Sequence, residues 1–508
     1  MVPFGQHKYG GARTRGQIMA GTPNRWRWYE AGSAVLILGI AALAFLMVVA
    51  ALEEHEARAC AISACVAVLA FLALPAGISL KRCGRLENQA IRISLMSGNV
   101  LAALLIASLL IRSDYSLSRK DIRQNLTGEV NYDATTQPGN EVLQKLEKAV
   151  NEDVLTFSIY DVCVGKVSHR VLRDGPVSPE RVKVTNRALL TEKIKADARQ
   201  LGADVVGITE LDPRFVFTKD NDGNPVQLKH KYAIVIGKGL DYRLANPVAP
   251  CPWEKQFSAI PEELAAVLSG KNVQSTHAIP PADIEEMRQT LEFFQDGGRI
   301  AVELAGEIRS FGYPARAHFG RWSEVQVIPV AVEAGLGEVG KNGVLISPKF
   351  GPRGSFPIVT TDLPLIPDNQ ADPGIQEFCR TCNKCARACP VRAIPTGAPV
   401  VVNGLSKWPV DGNKCWTFIK SNPKCMACMG ACPFNKKDLA IHRLAGWFIA
   451  RKSVVANWLL VRLDDALGYG ATALAFNRRS ETCASADQPT ITANGNADAT
   501  RDSAGTGN

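Results

Sequence analysis

Several features that mark other classes of protein are missing from this chain of 508 residues. It has no block of Lys and Arg interleaved with aromatic residues, and its net charge of +9 is modest for the length, so nucleic-acid binding is not expected. Six of its fourteen cysteines show no regular spacing, which argues against a disulfide framework. These six are Cys60, Cys65, Cys83, Cys163, Cys251 and Cys483.

Charged residues and histidines are also missing from three long apolar stretches near the N-terminus, at residues 33–52, 59–80 and 93–111. Each approaches the ~20 residues that a helix needs to cross the hydrocarbon core of a bilayer. Three such stretches joined by short, charged connections predict membrane spans. Because they contain no histidine, haem held by two histidines within the membrane is not supported. A plain membrane anchor is favoured over an electron-carrying module.

The distribution of Lys and Arg predicts the orientation of these spans. Residues 1–32 carry five basic residues, the second connection carries four, and the first connection carries only Arg58. Since basic residues accumulate on the cytoplasmic side, the N-terminus is predicted inside and everything after the third span outside. A basic group soon after the third span and the absence of a twin-arginine pair count against this orientation.

Eight of the fourteen cysteines lie between Cys379 and Cys432. The first run has the pattern C-x2-C-x2-C-x3-C-P, and the second has one cysteine, a nine-residue gap and then C-x2-C-x3-C-P. In two-cluster ferredoxins the fourth cysteine of such a run ligates the other [4Fe–4S] cluster. Zinc sites and disulfides explain neither the nesting nor the trailing prolines. The predicted ligands are Cys379, Cys382, Cys385 and Cys432 for cluster one, and Cys389, Cys415, Cys425 and Cys428 for cluster two.

The middle of the chain alternates between helical and strand patterns, which predicts an α/β core. Helices are expected at 192–201 and 280–311, and strands at 204–209, 231–237, 325–332, 343–346 and 355–361. The predicted domains are a basic segment (1–32), three transmembrane helices (33–112), a linker and domain entrance (113–184), the α/β core (185–370), a ferredoxin-type domain (371–438), C-terminal helices packed on the core (439–477) and a disordered tail (478–508).

Five segments, in this order and spacing, resemble the corrinoid-dependent reductive dehalogenases over residues 185–470. Epoxyqueuosine reductases share part of the pattern, but the Gly351-Pro-Arg353 element and the C-terminal Gly-Tyr-Gly fit the dehalogenases better. The three apolar stretches resemble the small membrane-anchor subunit of such enzymes, including a short acidic loop at Glu54-His-Glu56. The five segments are 201–208 (LGADVVGI), 308–316 (IRSFGYPAR), 334–343 (AGLGEVGKNG), 361–365 (TDLPL) and 463–470 (LDDALGYG).

The resemblance implies a nitroreductase-like α/β core that binds a corrinoid and receives electrons from the ferredoxin-type insert. The chain has no Asp-x-His-x-x-Gly sequence, the usual source of a lower axial histidine. This absence agrees with a cobalamin-type corrinoid bound without a protein ligand. The cofactor-binding residues implied by the resemblance are Gly335, Leu336, Gly337, Lys341, Asn342 and His318.

Two catalytic positions also follow from the resemblance. Arg353 occupies the place of a basic residue that would hold an anion or a phenolate, since its guanidinium stays charged. The family's tyrosine proton donor falls at Phe294, which has the ring but no hydroxyl. No tyrosine lies between Tyr242 and Tyr313 that could replace it by a small shift in alignment.

The leading interpretation is a membrane-anchored corrinoid and iron–sulfur oxidoreductase that cleaves carbon–halogen bonds in organohalides. Its expected partners are the lipid bilayer, a small-molecule organohalide, and a quinol or reduced redox protein as electron donor. One alternative keeps the cofactors but reduces a non-halogenated substrate. The other is an iron–sulfur electron-transfer or redox membrane protein, and the phenylalanine at position 294 favours these two alternatives.

Overall fold

The computed structural model describes residues 27–82, 88–110, 173–220, 223–245, 281–402, 405–421 and 425–475. Most of the predicted linker and all of the predicted tail lie outside these residues. The chain divides into two compact units. The first comprises Met1–Phe45 and Ser63–Ile106, and the second comprises Leu46–Ile62 and Ala107–Asn508.

The α-helices and strands of the described residues are numbered here in chain order. The helices are α1 (Trp28–Glu53), α2 (Ala57–Arg82), α3 (Gln89–Leu110), α4 (Arg187–Gln200), α5 (Pro281–Ser310), α6 (Val327–Glu333), α7 (Ile375–Thr381), α8 (Lys384–Ala388), α9 (Gly412–Ser421), α10 (Ala427–Gly430), α11 (Ala440–Ile449) and α12 (Val454–Leu467). The strands are β1 (Val205–Glu210), β2 (Tyr232–Gly239), β3 (Ala315–His318), β4 (Glu338–Val339), β5 (Leu345–Ile346), β6 (Gly354–Ser355), β7 (Ile358–Thr361), β8 (Val400–Val402) and β9 (Leu405–Lys407).

The three predicted apolar stretches form α1, α2 and α3, each long and apolar enough to cross a membrane. Their outward surfaces are dominated by exposed large apolar side chains, as a lipid-facing helix requires. Within the first unit, Asn99 of α3 donates from Nδ2 to the carbonyl oxygen of Tyr29 at 2.8 Å and to Oγ of Ser33 at 3.1 Å, so a polar contact joins α3 to α1.

The second unit is built on an antiparallel sheet with the order β1-β2-β7-β3, and β6 pairs with β2. Alternate residues of β2 point to opposite faces. Ile234 and Ile236 join a core that includes residues of α4 and α5, whereas Ala233 and Val235 join a core that includes residues of α6. The predicted α/β core is therefore present, with helices on both faces of the sheet.

Most of the predicted elements are found with small shifts at their ends. The expected strand at 355–361 is split, because Phe356 and Pro357 separate β6 from β7. Proline has no N–H for the strand ladder, which explains the break. The expected helix at 280–311 is α5, and the helical pattern after the cysteine region forms the pair α11 and α12.

The strand predicted at 325–332 is wrong, because these residues form helix α6. The run is rich in β-branched residues, which favours a strand by local propensity. Pro329 lies in the first helical turn, where a missing N–H costs nothing because the first N–H groups have no partner in the helix. Burial of Val330 and Ala331 against the sheet outweighs the local preference.

The cysteine-rich insert is tied to the C-terminal helices by a buried ion pair. Lys384, which begins α8, is fully buried, and its ammonium bonds the carboxylate of Asp464 on α12. The same ammonium donates to the carbonyl oxygen of Tyr469 at 2.7 Å. These bonds fix the insert against α12 and the loop that follows it.

Candidate functional site

The four cysteines predicted for cluster one converge in the second unit. Cys379 lies on α7, Cys382 caps the C-terminus of that helix, Cys385 lies on α8 and Cys432 follows α10. All four residues are buried. Burial and, to a smaller extent, the neighbouring thiol of Cys382 raise the pKa of Cys385 to about 12. The pKa of Cys432 is also raised, by burial and by the other three thiols of the group. Because burial and crowding disfavour the thiolate form of each member, ionisation of all four would require a cationic partner such as an iron–sulfur cluster.

The four cysteines predicted for cluster two form a second group. Burial raises the pKa of Cys428, with further contributions from Cys425, Cys415 and Cys389. Burial, together with the smaller effects of Cys415 and Cys389, raises the pKa of Cys425 to about 11. The backbone N–H of Ala393 donates to Sγ of Cys389 at 3.2 Å, a contact typical of the surroundings of iron–sulfur sulfurs.

Each group contains four cysteines, the number that ligates one [4Fe–4S] cluster. Within the described ranges, no three Cys, His, Asp or Glu side chains converge on a site for one metal ion. The structure brings together the members of each group, and their assignment as the ligands of two clusters stays a prediction.

Lys341, predicted as a cofactor contact, lies beside the first group of cysteines. Its ammonium donates to Oδ1 of Asn383 at 2.6 Å and lies 5.3 Å from the ring centroid of Trp408. Burial lowers its pKa, and the thiols of Cys385 and Cys379 oppose that effect. A cation at this position offsets the negative charge of a thiolate-ligated cluster.

The adjacent side chain, Asn342, is the feature that fits a further bound group. It is buried, and among the described residues neither its amide nitrogen nor its amide oxygen has a hydrogen-bond partner. Buried polar groups of native proteins are nearly always paired. A polar group of a bound cofactor would satisfy this amide, so the Lys341-Asn342 segment fits the cofactor implied by the resemblance.

The predicted contacts Gly335, Leu336 and Gly337 have a different environment. Gly335 has a φ of 78°, and a Cβ there would lie against the carbonyl oxygen of Asn369. A Cβ on Gly337 would overlap the backbone of Ile346, and Leu336 packs in the core beneath the sheet. These glycines are required for close packing of the protein backbone. Their role in cofactor binding stays a prediction.

His318 is fully buried at the end of β3, and both of its ring nitrogens have protein partners. Nδ1 accepts the backbone N–H of Glu324 at 3.2 Å, so Nε2 carries the proton and donates to Oγ1 of Thr360 at 2.8 Å. The hydroxyl of Thr360 then donates to Nδ1 of His230 at 2.8 Å. Burial lowers the pKa of His318 well below its ordinary value, so the ring is neutral.

The guanidinium of Arg353 links the core to the insert. Nε donates to Oδ1 of Asn435 at 3.1 Å, and the two terminal nitrogens donate to the carbonyl oxygens of Leu240 and Lys436 at 2.5 and 2.8 Å. Burial lowers its pKa, but arginine stays charged at any working pH. Three of its five N–H groups make these bonds. Because the guanidinium is planar and rigid, the same bonds fix the direction of its two other N–H groups.

Phe294 lies on α5, and Arg353 directly precedes β6. Its ring is partly exposed and meets Phe293 edge to face, with centroids 4.9 Å apart. One turn later, a Cβ on Gly297 would stand 3.4 Å from Oγ of Ser355, two residues after Arg353. The two positions singled out for catalysis therefore belong to neighbouring elements.

A buried group of carboxylates and tyrosines lies beyond the residues predicted for the site. Glu54, in the connection between α1 and α2, accepts bonds from the backbone N–H of Lys437, from Nε2 of His442 and from the hydroxyl of Tyr469. Two residues later, Oε1 of Glu56 accepts from the hydroxyl of Tyr242 at 3.1 Å. The acidic loop and the Gly-Tyr-Gly element were visible in the sequence, but nothing local joined them.

The two carboxylates have opposite pKa shifts. Burial alone would raise the pKa of Glu54, but bonds and charge from His442 together with the N–H of Lys437 hold it below its ordinary value. Burial raises the pKa of Glu56. The ammonium of Lys436 lies 3.2 Å from the ring centroid of Tyr469 and 3.0 Å from Oδ1 of Asp464, so it supplies positive charge to this group.

Known proteins resemble the chain in the same region. The 4Fe–4S dicluster domain family matches residues 378–436. Tetrachloroethene reductive dehalogenase of Sulfurospirillum multivorans is 32% identical over 298 residues, which cover 56% of this chain and 58% of that protein. That of Dehalobacter restrictus is 30% identical over 309 residues, covering 56% of this chain and 55% of that protein. The chain thus spans a little over half the length of these relatives.

A solved structure agrees with the sequence matches. A catabolic reductive dehalogenase variant is 28% identical with a TM-score of 0.52, covering 66% of this chain and 45% of that chain. The predicted resemblance to reductive dehalogenases is confirmed by these matches. The two-cluster domain predicted from the cysteine spacing is confirmed as well.

Proposed function

We propose that this chain is a membrane-anchored, corrinoid- and iron–sulfur-dependent reductive dehalogenase that cleaves carbon–halogen bonds of small organohalides. The observation that carries the proposal is the convergence of eight cysteines in two groups of four, the first of which lies beside Lys341. The likeness to the tetrachloroethene enzymes supports it. The core would then have the nitroreductase-like arrangement expected from the motifs.

The corrinoid, when bound, supplies a cobalt centre that accepts single electrons and reduces the carbon–halogen bond. The chain supplies the surroundings. The buried amide of Asn342 would hold a polar edge of the cofactor, and Lys341 balances charge beside the first cysteine group. Arg353 is held rigidly enough to orient an anionic substrate or leaving group with its two remaining N–H donors.

Metal content and magnetic resonance test this proposal. Detergent-purified chain, produced with corrinoid supplied, should contain about eight irons for two four-iron clusters and one cobalt per chain. The cobalt(II) spectrum should lack nitrogen splitting from a lower ligand. Eight irons without cobalt would overturn the dehalogenase assignment. That result would support the second candidate, an iron–sulfur electron-transfer membrane protein, which the missing hydroxyl at Phe294 favours.

We propose further that α1, α2 and α3 cross the membrane and that the catalytic domain lies on the outer face. With three spans, the connection between α1 and α2 must emerge on the same side as the chain that follows α3. The contacts of Glu54 with His442 and Tyr469 agree with that parity. Positive-inside counting assigns the shared side to the exterior.

Electrons would come from a membrane quinol or a reduced redox protein. The clusters would be the entry point, because four-iron clusters transfer single electrons. A purified chain in liposomes that contain menaquinol should reduce its clusters without a soluble donor if quinol serves this role. Reduction by a soluble flavodoxin or ferredoxin alone would assign the role to a redox protein.

A further inference from the structure

Helices α11 and α12 carry an apolar surface that nothing in the described chain covers. On α11, Leu444 and Trp447 face outward, and on α12 Val454, Val455 and Trp458 do the same. Both tryptophans are about half exposed, at 45% and 52%, which is unusual for the largest apolar side chain. These five residues are called the tryptophan face below.

Each tryptophan of this face is paired with an arginine four residues later. The guanidinium carbon of Arg451 lies 3.2 Å from the ring centroid of Trp447, and that of Arg462 lies 5.6 Å from the ring of Trp458. Such pairing keeps a positive charge at the edge of an apolar patch. An apolar stripe with Trp and flanking Arg has the chemistry of the boundary between lipid headgroups and acyl chains.

Two hydrogen bonds connect α11 and α12 to residues near the ends of α1 and α3. His442, in the first turn of α11, bonds Glu54 in the connection that leaves α1. Ser453, just before α12, donates from Oγ to the carbonyl oxygen of Ser108 at 2.9 Å, near the end of α3. Both partners sit at the ends of candidate spans, where the polypeptide leaves the hydrocarbon.

We propose that the tryptophan face inserts into the headgroup layer of the membrane as a monotopic contact, additional to the three spans. This inference rests on the proposed membrane topology and not on the proposed reaction. The occupant is lipid, because both ties place the helices beside span ends and because Arg451 and Arg462 add charge that complements anionic headgroups. The contact would hold the insert and its clusters close to the bilayer surface.

Photocrosslinking in liposomes tests the contact. The full chain, with benzoylphenylalanine in place of Trp447 or Trp458, is reconstituted in mixed phosphatidylethanolamine and phosphatidylglycerol with a fluorescent lipid tracer. The matched control carries the same group in place of Trp416, an exposed tryptophan on α9 in the insert. Illumination should label the first two variants with lipid several-fold more strongly than the third. The variants Arg451→Gln and Arg462→Gln should weaken the label in anionic but not in zwitterionic liposomes.

Equal lipid labelling at all three positions, or none, would overturn the proposal. Crosslinked dimers in place of lipid adducts would also overturn it, because a second copy would then cover the face. Alkaline carbonate extraction of the same liposomes separates this failure from failure of the topology. Chain that is extracted by carbonate is not spanning, whereas chain that resists extraction but gains no lipid label spans without the proposed contact.

Discussion

The hydroxyl of Tyr469 donates a hydrogen bond to Oε2 of Glu54 at 2.9 Å, across 415 positions of sequence. The carboxylate of Glu54 has no exposed surface, and His442 and the backbone N–H of Lys437 donate to it as well. Three donors on one buried carboxylate make a strong anchor, since hydrogen bonds to charged groups are stronger than neutral ones. This relationship binds the connection after α1 to the C-terminal part of the chain.

Replacing Glu54 should release that anchor. Glu54→Ala leaves three donors without an acceptor, of which the hydroxyl of Tyr469 is buried, and we expect a loss of about 1–3 kcal/mol in the free energy of unfolding from that group. Protease sensitivity around residues 54–62 and thermal unfolding in detergent measure the effect. The matched control is Glu53→Ala, whose carboxylate is exposed and lies 3.6 Å from Lys437. Equal effects of the two variants would contradict the anchoring role.

The neighbouring carboxylate should behave in the opposite way. Because burial raises the pKa of Glu56 above its ordinary 4.5, its ionised form costs stability once the pH exceeds that value. Glu56→Gln keeps an acceptor for Tyr242 and should raise the unfolding temperature at neutral pH. The difference from the unmodified chain should vanish below pH 4.5. A lower unfolding temperature at neutral pH would contradict the assignment.

Acidification should act through Glu54 with the reverse sign. Its pKa lies below the ordinary value of 4.5 in the folded chain, so its contribution is complete above 4.5 and is lost as the pH falls through the lowered folded pKa. Thermal unfolding of Glu54→Gln should therefore depend less on pH in the acid range than that of the unmodified chain. An unchanged acid dependence would show that other groups control it.

Each predicted cluster takes one ligand from the other cysteine run, and pairs of substitutions can test this exchange. Cys432→Ala should disturb the same cluster as Cys382→Ala, although Cys432 belongs to the second run in the sequence. Cys389→Ala should disturb the same cluster as Cys428→Ala. Each variant should keep about four of its eight irons. Potentiometric magnetic resonance, which resolves the two clusters by their potentials, should then give one missing signal per pair.

The buried pair of Lys384 and Asp464 should be a main determinant of stability for the insert. Lys384→Met leaves Asp464 with Lys436 alone and removes a donor from the carbonyl of Tyr469, so we expect a loss of about 3–5 kcal/mol. Urea unfolding measures the change. Arg387→Met removes an exposed contact with Asp465 and should cost about 0–1 kcal/mol.

The absence of a hydroxyl at Phe294 can be tested by a gain-of-function substitution. If position 294 is the donor position, Phe294→Tyr should raise the rate of dehalogenation of a halophenol by about 10²-fold, a typical contribution of a general acid. Phe294→Leu removes the ring without adding a hydroxyl and should give no gain. A chain loaded with cofactor that responds equally to both substitutions would rule out this position.

Much of the site could be predicted from local sequence. The cysteine spacing predicted the two-cluster domain, because a run of thiolates on tight turns has few ways to hold a four-iron cube. The three apolar stretches specified α1, α2 and α3, since unbroken hydropathy over such lengths has one common outcome. The strand expected at 325–332 failed where propensity and burial disagreed, and burial prevailed.

The tertiary structure decided what no local pattern contains. It paired Glu54 with Tyr469 and Lys384 with Asp464, contacts that bring together distant parts of the chain. It occupied both nitrogens of His318 and three donors of Arg353, and it left the amide of Asn342 without a partner in the described residues. Residue type and spacing determine which chemistry a chain can perform, but partners and burial depend on contacts between segments that are remote in sequence.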